Sequence, residues 1–90
     1  MSHTVKEKAK LLARVRRIKG QVEAVERALE NELGCADVLQ LVASMRGAMN
    51  GLTAELIEDH IHNHVLDAAD EAERARGAEE LIEVVRTYLK

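Results

Sequence analysis

An all-α protomer of three helices is the fold this sequence predicts, and three observations carry it. Apolar residues recur at helical spacing along two long stretches, proline is absent, and Tyr88 is the only aromatic residue. Packing must therefore come from Leu, Val, Ile, Ala and Met on long helices. The 90 residues make one domain, 1–90, near the small end for a self-sufficient core. The helices are expected to gain stability by association.

The first helix is expected from Thr4, with Glu7 three residues on in a capping-box pattern, to about Glu32. Its apolar positions Leu11, Val15, Ile18, Val22, Val25 and Leu29 predict one side packed on the second helix. About a quarter turn away, Lys6, Lys10, Arg14 and Arg17 follow one another at i, i+4, i+8 and i+11. Gly20 is a mild weakness or a point of close contact.

Asn31 to Gly34 reads as the turn of an αα-hairpin. The second helix is expected from Cys35 or Ala36 to Val65, with Asp37 placed in its first turn to suit the macrodipole. Along it Val38, Val42, Met45, Met49, Leu52 and Leu56 form an apolar seam in alternating four- and three-residue steps. The opposite face, Ala43, Ser44, Gly47, Gly51 and Ala54, is small enough to admit a further helix closely. Asp67 to Asp70 reads as an interruption. The third helix carries Leu81, Ile82, Val85, Tyr88 and Leu89; its start is undefined because Glu71 to Arg76 is polar, and Gly77 fits either a cap or a break.

No apolar run approaches the ~20 residues that cross a bilayer, and no stretch resembles a secretion signal. A cytoplasmic protein is expected, with no membrane partner and no small-molecule substrate. The one cysteine makes no internal disulfide. The net charge of −3 conceals an asymmetry, because Lys6, Lys8, Lys10, Arg14, Arg16, Arg17 and Lys19 face only Glu7 in the first twenty residues. Such separation points to a polyanion-binding surface on an otherwise acidic body.

Cys35 as thiolate, with the imidazoles of His60 and His64, makes a donor set suited to zinc, nickel, cobalt or copper rather than magnesium or calcium. His64 stands four residues after His60, one turn along the same face. Cys35 and His60 are separated by about 37 Å along a straight helix, so one chain cannot use all three on one ion. An antiparallel partner, related by a two-fold axis near Ala48 or Met49, would bring Cys35 of one protomer against His60 and His64 of the other, giving two equivalent sites per dimer. A small core role for Cys35 and a chance origin for the histidine pair stand beside this reading. His62, on the opposite side, reads as a solvated surface residue.

Near the N terminus, His3 and the amine of Ser2, freed by removal of Met1, form an arm that can fold over such a site. Five or six donors would favour nickel or cobalt over tetrahedral zinc, although zinc and copper can still bind in vitro. The basic stripe has a bland reading, a solvated helix face. Glu23, Glu26 and Glu30 sit toward the far end of the helix, which favours phosphate contact by Lys10, Arg14 and Arg17, with Lys6, Arg16 and Lys19 assisting. No helix-turn-helix, zinc-finger spacing or aromatic stacking platform accompanies it. Arg46, alone among small and apolar residues, is expected to make an internal ion pair or hydrogen bond.

The segment Arg14-Val15-Arg16-Arg17-Ile18-Lys19-Gly20-Gln21-Val22, the single Cys35, the run Arg46-Gly47-Ala48-Met49-Asn50-Gly51-Leu52 and the ending Thr87-Tyr88-Leu89-Lys90 resemble the CsoR/RcnR/FrmR family of bacterial copper-, nickel-cobalt- and formaldehyde-responsive repressors. The resemblance covers almost the whole chain and is weakest between Asp67 and Ala78. It implies a three-helix protomer, an antiparallel four-helix-bundle dimer and a dimer-of-dimers tetramer whose ligand-free form binds operator DNA and whose inducer releases it.

The combination His3, Cys35, His60 and His64, with the opening Met1-Ser2-His3-Thr4, is similar to the nickel-cobalt branch. Copper(I) sensors of the family would be expected to carry a second Cys where His64 stands. Formaldehyde sensors carry Pro at the second position and usually Glu in place of His64, yet Arg14 to Arg17 looks as close to that branch as to the nickel-cobalt one. The expected function is thus a homotetrameric repressor that leaves double-stranded operator DNA on binding nickel or cobalt and controls efflux. The alternative within the fold is a formaldehyde sensor with Cys35 as nucleophile, or a zinc or copper sensor. Two other classes fit less well: a metal-dependent hydrolase, which lacks a carboxylate placed as HExxH would place it, and a metal buffer, which would not need the basic helix.

Overall fold

The computed structural model describes the backbone from residue 5 and the side chains from residue 7 to the C terminus. Helix α1 spans Val5–Glu30, α2 spans Cys35–Ile61, a π-helical turn spans His62–Leu66, and α3 spans Glu71–Tyr88. Thr4, the expected first cap, lies outside the described residues. The chain forms two compact units, one of α1 with α2 through Thr53, the other of Ala54–Lys90.

In the first unit α1 stops two residues short of the expected Glu32. The amide of Leu33 reaches back to the carbonyl of Ala28 at 2.9 Å and that of Glu32 to Leu29 at 3.2 Å, a Schellman closure. Glu32 holds the left-handed position of that closure, with φ 53°; a glycine there would meet less strain. The Gly34 carbonyl then accepts from the amides of Asp37 and Val38, and α2 begins at Cys35.

Both apolar seams divide in the structure. On α1 Leu11, Ile18 and Val25 are half-buried and Ala28 is the only fully buried hydrophobic residue among those described, while Val15, Val22 and Leu29 remain exposed. On α2 Val38, Leu41, Met45, Ala48 and Leu52 are half-buried, and Val42, Met49 and Leu56 are exposed. The half-buried rows are the ones covered within the unit. A hydrogen bond of 3.1 Å from Gln21 Nε2 to Ser44 Oγ ties the two helices together.

The small-residue face of α2 is expected from the sequence to admit a further helix. Part of it is used within the chain instead: Ser44 bonds Gln21, and Gly51 leaves room for Arg14, whose Nη1 lies 3.0 Å from where a Cβ on Gly51 would stand. Arg46 also departs from expectation. It is exposed and makes no ion pair among the described residues.

In the second unit the expected continuation of α2 to Val65 is replaced after Ile61 by the π turn, closed by the amide of Asp67 on the carbonyl of His62 at 3.0 Å. The carbonyl of Val65 takes Arg74 Nε at 3.0 Å, so a side chain of α3 satisfies what a continuing helix would have satisfied. Asp67 to Asp70 is non-helical, as expected, and α3 starts at a well-formed cap. Asp70 Oδ1 accepts from the Glu73 amide at 2.8 Å, and Glu73 Oε2 accepts from the Ala69 amide at 3.1 Å. Gly77 is neither cap nor break. It lies buried inside α3, where the π turn comes against it.

Candidate metal centre and nucleic-acid interface

The first candidate site belongs to the unit of Ala54–Lys90. His60 stands in the last turn of α2 and His64 in the π turn, and their ring centroids are 4.9 Å apart. Both rings are partly covered, whereas His62 between them is exposed, as expected for a residue on the other side. His60 Nε2 lies 2.8 Å from the carbonyl oxygen of Gly77. A carbonyl only accepts, so Nε2 is the donor of this bond, and in the neutral tautomer that makes it the lone pair is on Nδ1. Glu80 Oε1 stands 3.9 Å from the same Nε2, beyond hydrogen-bonding distance.

Two imidazoles with ring centroids this close are near enough to share one late first-row metal ion, whose bonds to nitrogen are about 2.0–2.1 Å for zinc. Among the described residues no group of three or more His, Cys, Asp or Glu gathers in one chain in a way that could hold a metal. Cys35 opens α2 as an exposed free thiol. His3 and Ser2, the expected arm, lie outside the described residues.

The second candidate site belongs to the unit of α1 and α2 through Thr53. Lys10, Arg14, Arg17 and Gln21 of α1 and Ser44 and Gly47 of α2 line a groove of about 560 Å³. Three of the predicted cations thus share one concave surface, and no acidic residue stands among its lining. The groove exists because small residues of α2 face long cationic side chains of α1. Arg16 and Lys19 are exposed on α1 outside this lining, and Lys6 lies in α1 with its side chain outside the described set.

Sequence reasoning located the histidine pair and the cations but not the α3 residues behind the histidines. Gly77, Arg74 and Glu80 reach the site through a tertiary contact. The one available signal was a glycine within a helical pattern, which often marks a close approach.

Residues 7–87 match the family model described as metal-sensitive transcriptional repressor, and the chain belongs to that family. Its class is therefore that of operator-binding repressors, not enzymes. The chain is 52% identical over 91 residues, spanning the whole of both sequences, to an uncharacterized protein in the bioA 5' region of Serratia marcescens. It is 42% identical over 90 residues, again over the whole of both, to the transcriptional repressor RcnR of Salmonella typhimurium. Among solved structures it superposes with TM-score 0.89 and 42% identity on a variant of the formaldehyde-responsive regulator FrmR from Salmonella enterica serovar Typhimurium in which histidine replaces glutamate, covering 96% of this chain and 98% of that one. The copper-sensing repressor CsoR with Cu(I) from Geobacillus thermodenitrificans gives TM-score 0.92 at 27% identity, covering 100% of this chain and 94% of that one.

Proposed function

We propose that this repressor senses nickel or cobalt and controls the efflux of that metal, acting as one domain over residues 1–90 of a cytoplasmic homotetramer. The observation that carries the reading is the approach of the His60 and His64 rings to 4.9 Å. Cys35 of a neighbouring protomer would supply the thiolate, and His3 with the Ser2 amine would complete five or six donors. Such a set, bound, stabilises one arrangement of the protomers by cross-linking their helices. The likeness to RcnR over the full length supports the nickel-cobalt branch.

Assembly follows from the same surface that leaves the chain poorly buried. The exposed rows Val15, Val22 and Leu29 on α1 and Val42, Met49 and Leu56 on α2 supply apolar area for a second and a third copy. Lys10, Arg14 and Arg17 in the groove contact phosphates, with Lys6, Arg16 and Lys19 assisting. Release from DNA requires that the metal bind the DNA-free arrangement more tightly, since a ligand with equal affinity for both shifts nothing.

The second reading, a formaldehyde sensor with Cys35 as nucleophile, is favoured by the exposed free thiol and by the likeness to the FrmR variant. Fluorescence anisotropy of the metal-free protein on its own promoter DNA separates the two. Titration with nickel, cobalt, zinc, copper(I) and formaldehyde is expected to release DNA with nickel or cobalt where formaldehyde does nothing. Release by formaldehyde alone would transfer Cys35 from ligand to nucleophile.

A further inference from the structure

The α3 helix meets the histidine-bearing turn at one residue without a side chain. A Cβ built on Gly77 would fall on the carbonyl oxygen of His64, and would stand 2.8 Å from its carbonyl carbon and 2.9 Å from its Cβ. Two of these are backbone atoms, which cannot swing aside as the end of a long side chain can. At the same residue the carbonyl oxygen of Gly77 receives the Nε2 proton of His60 at 2.8 Å. One glycine therefore touches both imidazole-bearing residues, through its missing Cβ on one side and its peptide oxygen on the other.

We infer that Gly77 is a positioning residue for the histidine pair: its bare Cα seats the His64 backbone, and its carbonyl holds His60 in the tautomer that turns Nδ1 outward as the donor atom. This rests on reading His60 and His64 as ligands. An alternative role, a glycine kept only for helix packing, would leave the His60 tautomer untouched. Arg74 Nε on the Val65 carbonyl keeps the turn in place beside this contact, but it does not choose the nitrogen. Elsewhere in the chain, a Cβ added to Gly20 would meet nothing within 4 Å, so Gly20→Ala is the matched control for adding a methyl group to a helix.

The test is made on the full chain. Long-range 1H–15N correlation of the metal-free parent is expected to show His60 protonated at Nε2, with that proton slow to exchange and giving a nuclear Overhauser contact to Gly77, whereas the exposed His62 shows a rapidly exchanging proton. Gly77→Ala is expected to lose the protected proton and to bind cobalt about 10–100-fold more weakly, the range typical for removing a partner of a ligating histidine. Gly20→Ala is expected to match the parent in both.

A parent in which His60 is protonated at Nδ1, or has no protected Nε2 proton, overturns the inference. So does a folded Gly77→Ala variant with parental imidazole spectra and cobalt affinity. Should Gly77→Ala not fold, the parental spectrum decides alone. A parent that binds neither cobalt nor nickel refutes the metal reading instead, and the imidazole spectra, recorded without metal, still decide the role of Gly77.

Discussion

The imidazole of His60 and the backbone of Gly77 are joined by a 2.8 Å hydrogen bond across 17 residues of sequence. Through it the last turn of α2 is tied to the middle of α3, and the ring that ends the apolar seam of α2 is held by the backbone of another helix. Arg74 reinforces the contact from the next turn of α3 by donating to Val65 at 3.0 Å.

If His60 and His64 share an ion, deleting one ring should be costly to binding and harmless to folding. His64→Ala is expected to keep the helical circular dichroism of the parent and to lose roughly 10-fold or more in nickel or cobalt affinity, on the scale of second-sphere losses or larger. Competition with a chelator measures it. A variant that binds as the parent does and still leaves DNA removes His64 from the site.

Arg17 lies exposed in the cationic groove. Arg17→Ala should weaken DNA binding about equally across sequences. The slope of log K against log salt should become shallower by about 1 for each protomer whose Arg17 meets a phosphate. Anisotropy at a series of salt concentrations reads both quantities, and an unchanged slope would place the phosphate contacts elsewhere.

Gly51→Ala sets helix propensity against groove geometry. An alanine in mid-helix is worth up to about 1 kcal/mol over glycine, and the atom it would approach, Arg14 Nη1 at 3.0 Å, is the far end of a flexible side chain. Thermal stability is expected to rise or hold while DNA affinity falls, though by less than in Arg14→Ala. Parallel melts and anisotropy titrations check the opposite signs.

Asp70 caps α3 through the Glu73 amide at 2.8 Å. Asp70→Ala should cost about 1 kcal/mol, the usual worth of such a cap. Denaturant titrations must be run at a fixed protein concentration, since an assembling protein gains stability by mass action. A loss well below this would mean that α3 is held chiefly by its contact with the π turn.

Met49 is 45% exposed on the row of α2 left uncovered within the chain. Met49→Glu would bring a charge to any interface built on that row. In sedimentation equilibrium the parent is expected to be larger than a protomer, and the variant to shift toward the protomer with reduced helix content. An unchanged mass would move the interface to another face.

The sequence by itself determined the number of helices, the turn at Asn31 to Gly34, the interruption at Asp67 to Asp70, the cationic face of α1 and the pairing of His60 with His64. These are decided within a few residues, by caps, turns and the i, i+4 neighbourhood, which act whatever the rest of the chain does. Periodicity also located the apolar seams, but it could not say which half a neighbour covers. Leu11, Ile18 and Val25 are shielded while Val15, Val22 and Leu29 are not, and only the packing of α1 on α2 chose between them. Tertiary structure alone decided that α2 widens into a π turn at His62, that Arg46 stands exposed, and that Gly77 seats His64 and orients His60. The π turn and the role of Gly77 depend on a contact between α3 and a turn distant in sequence, and no local rule reaches across that separation.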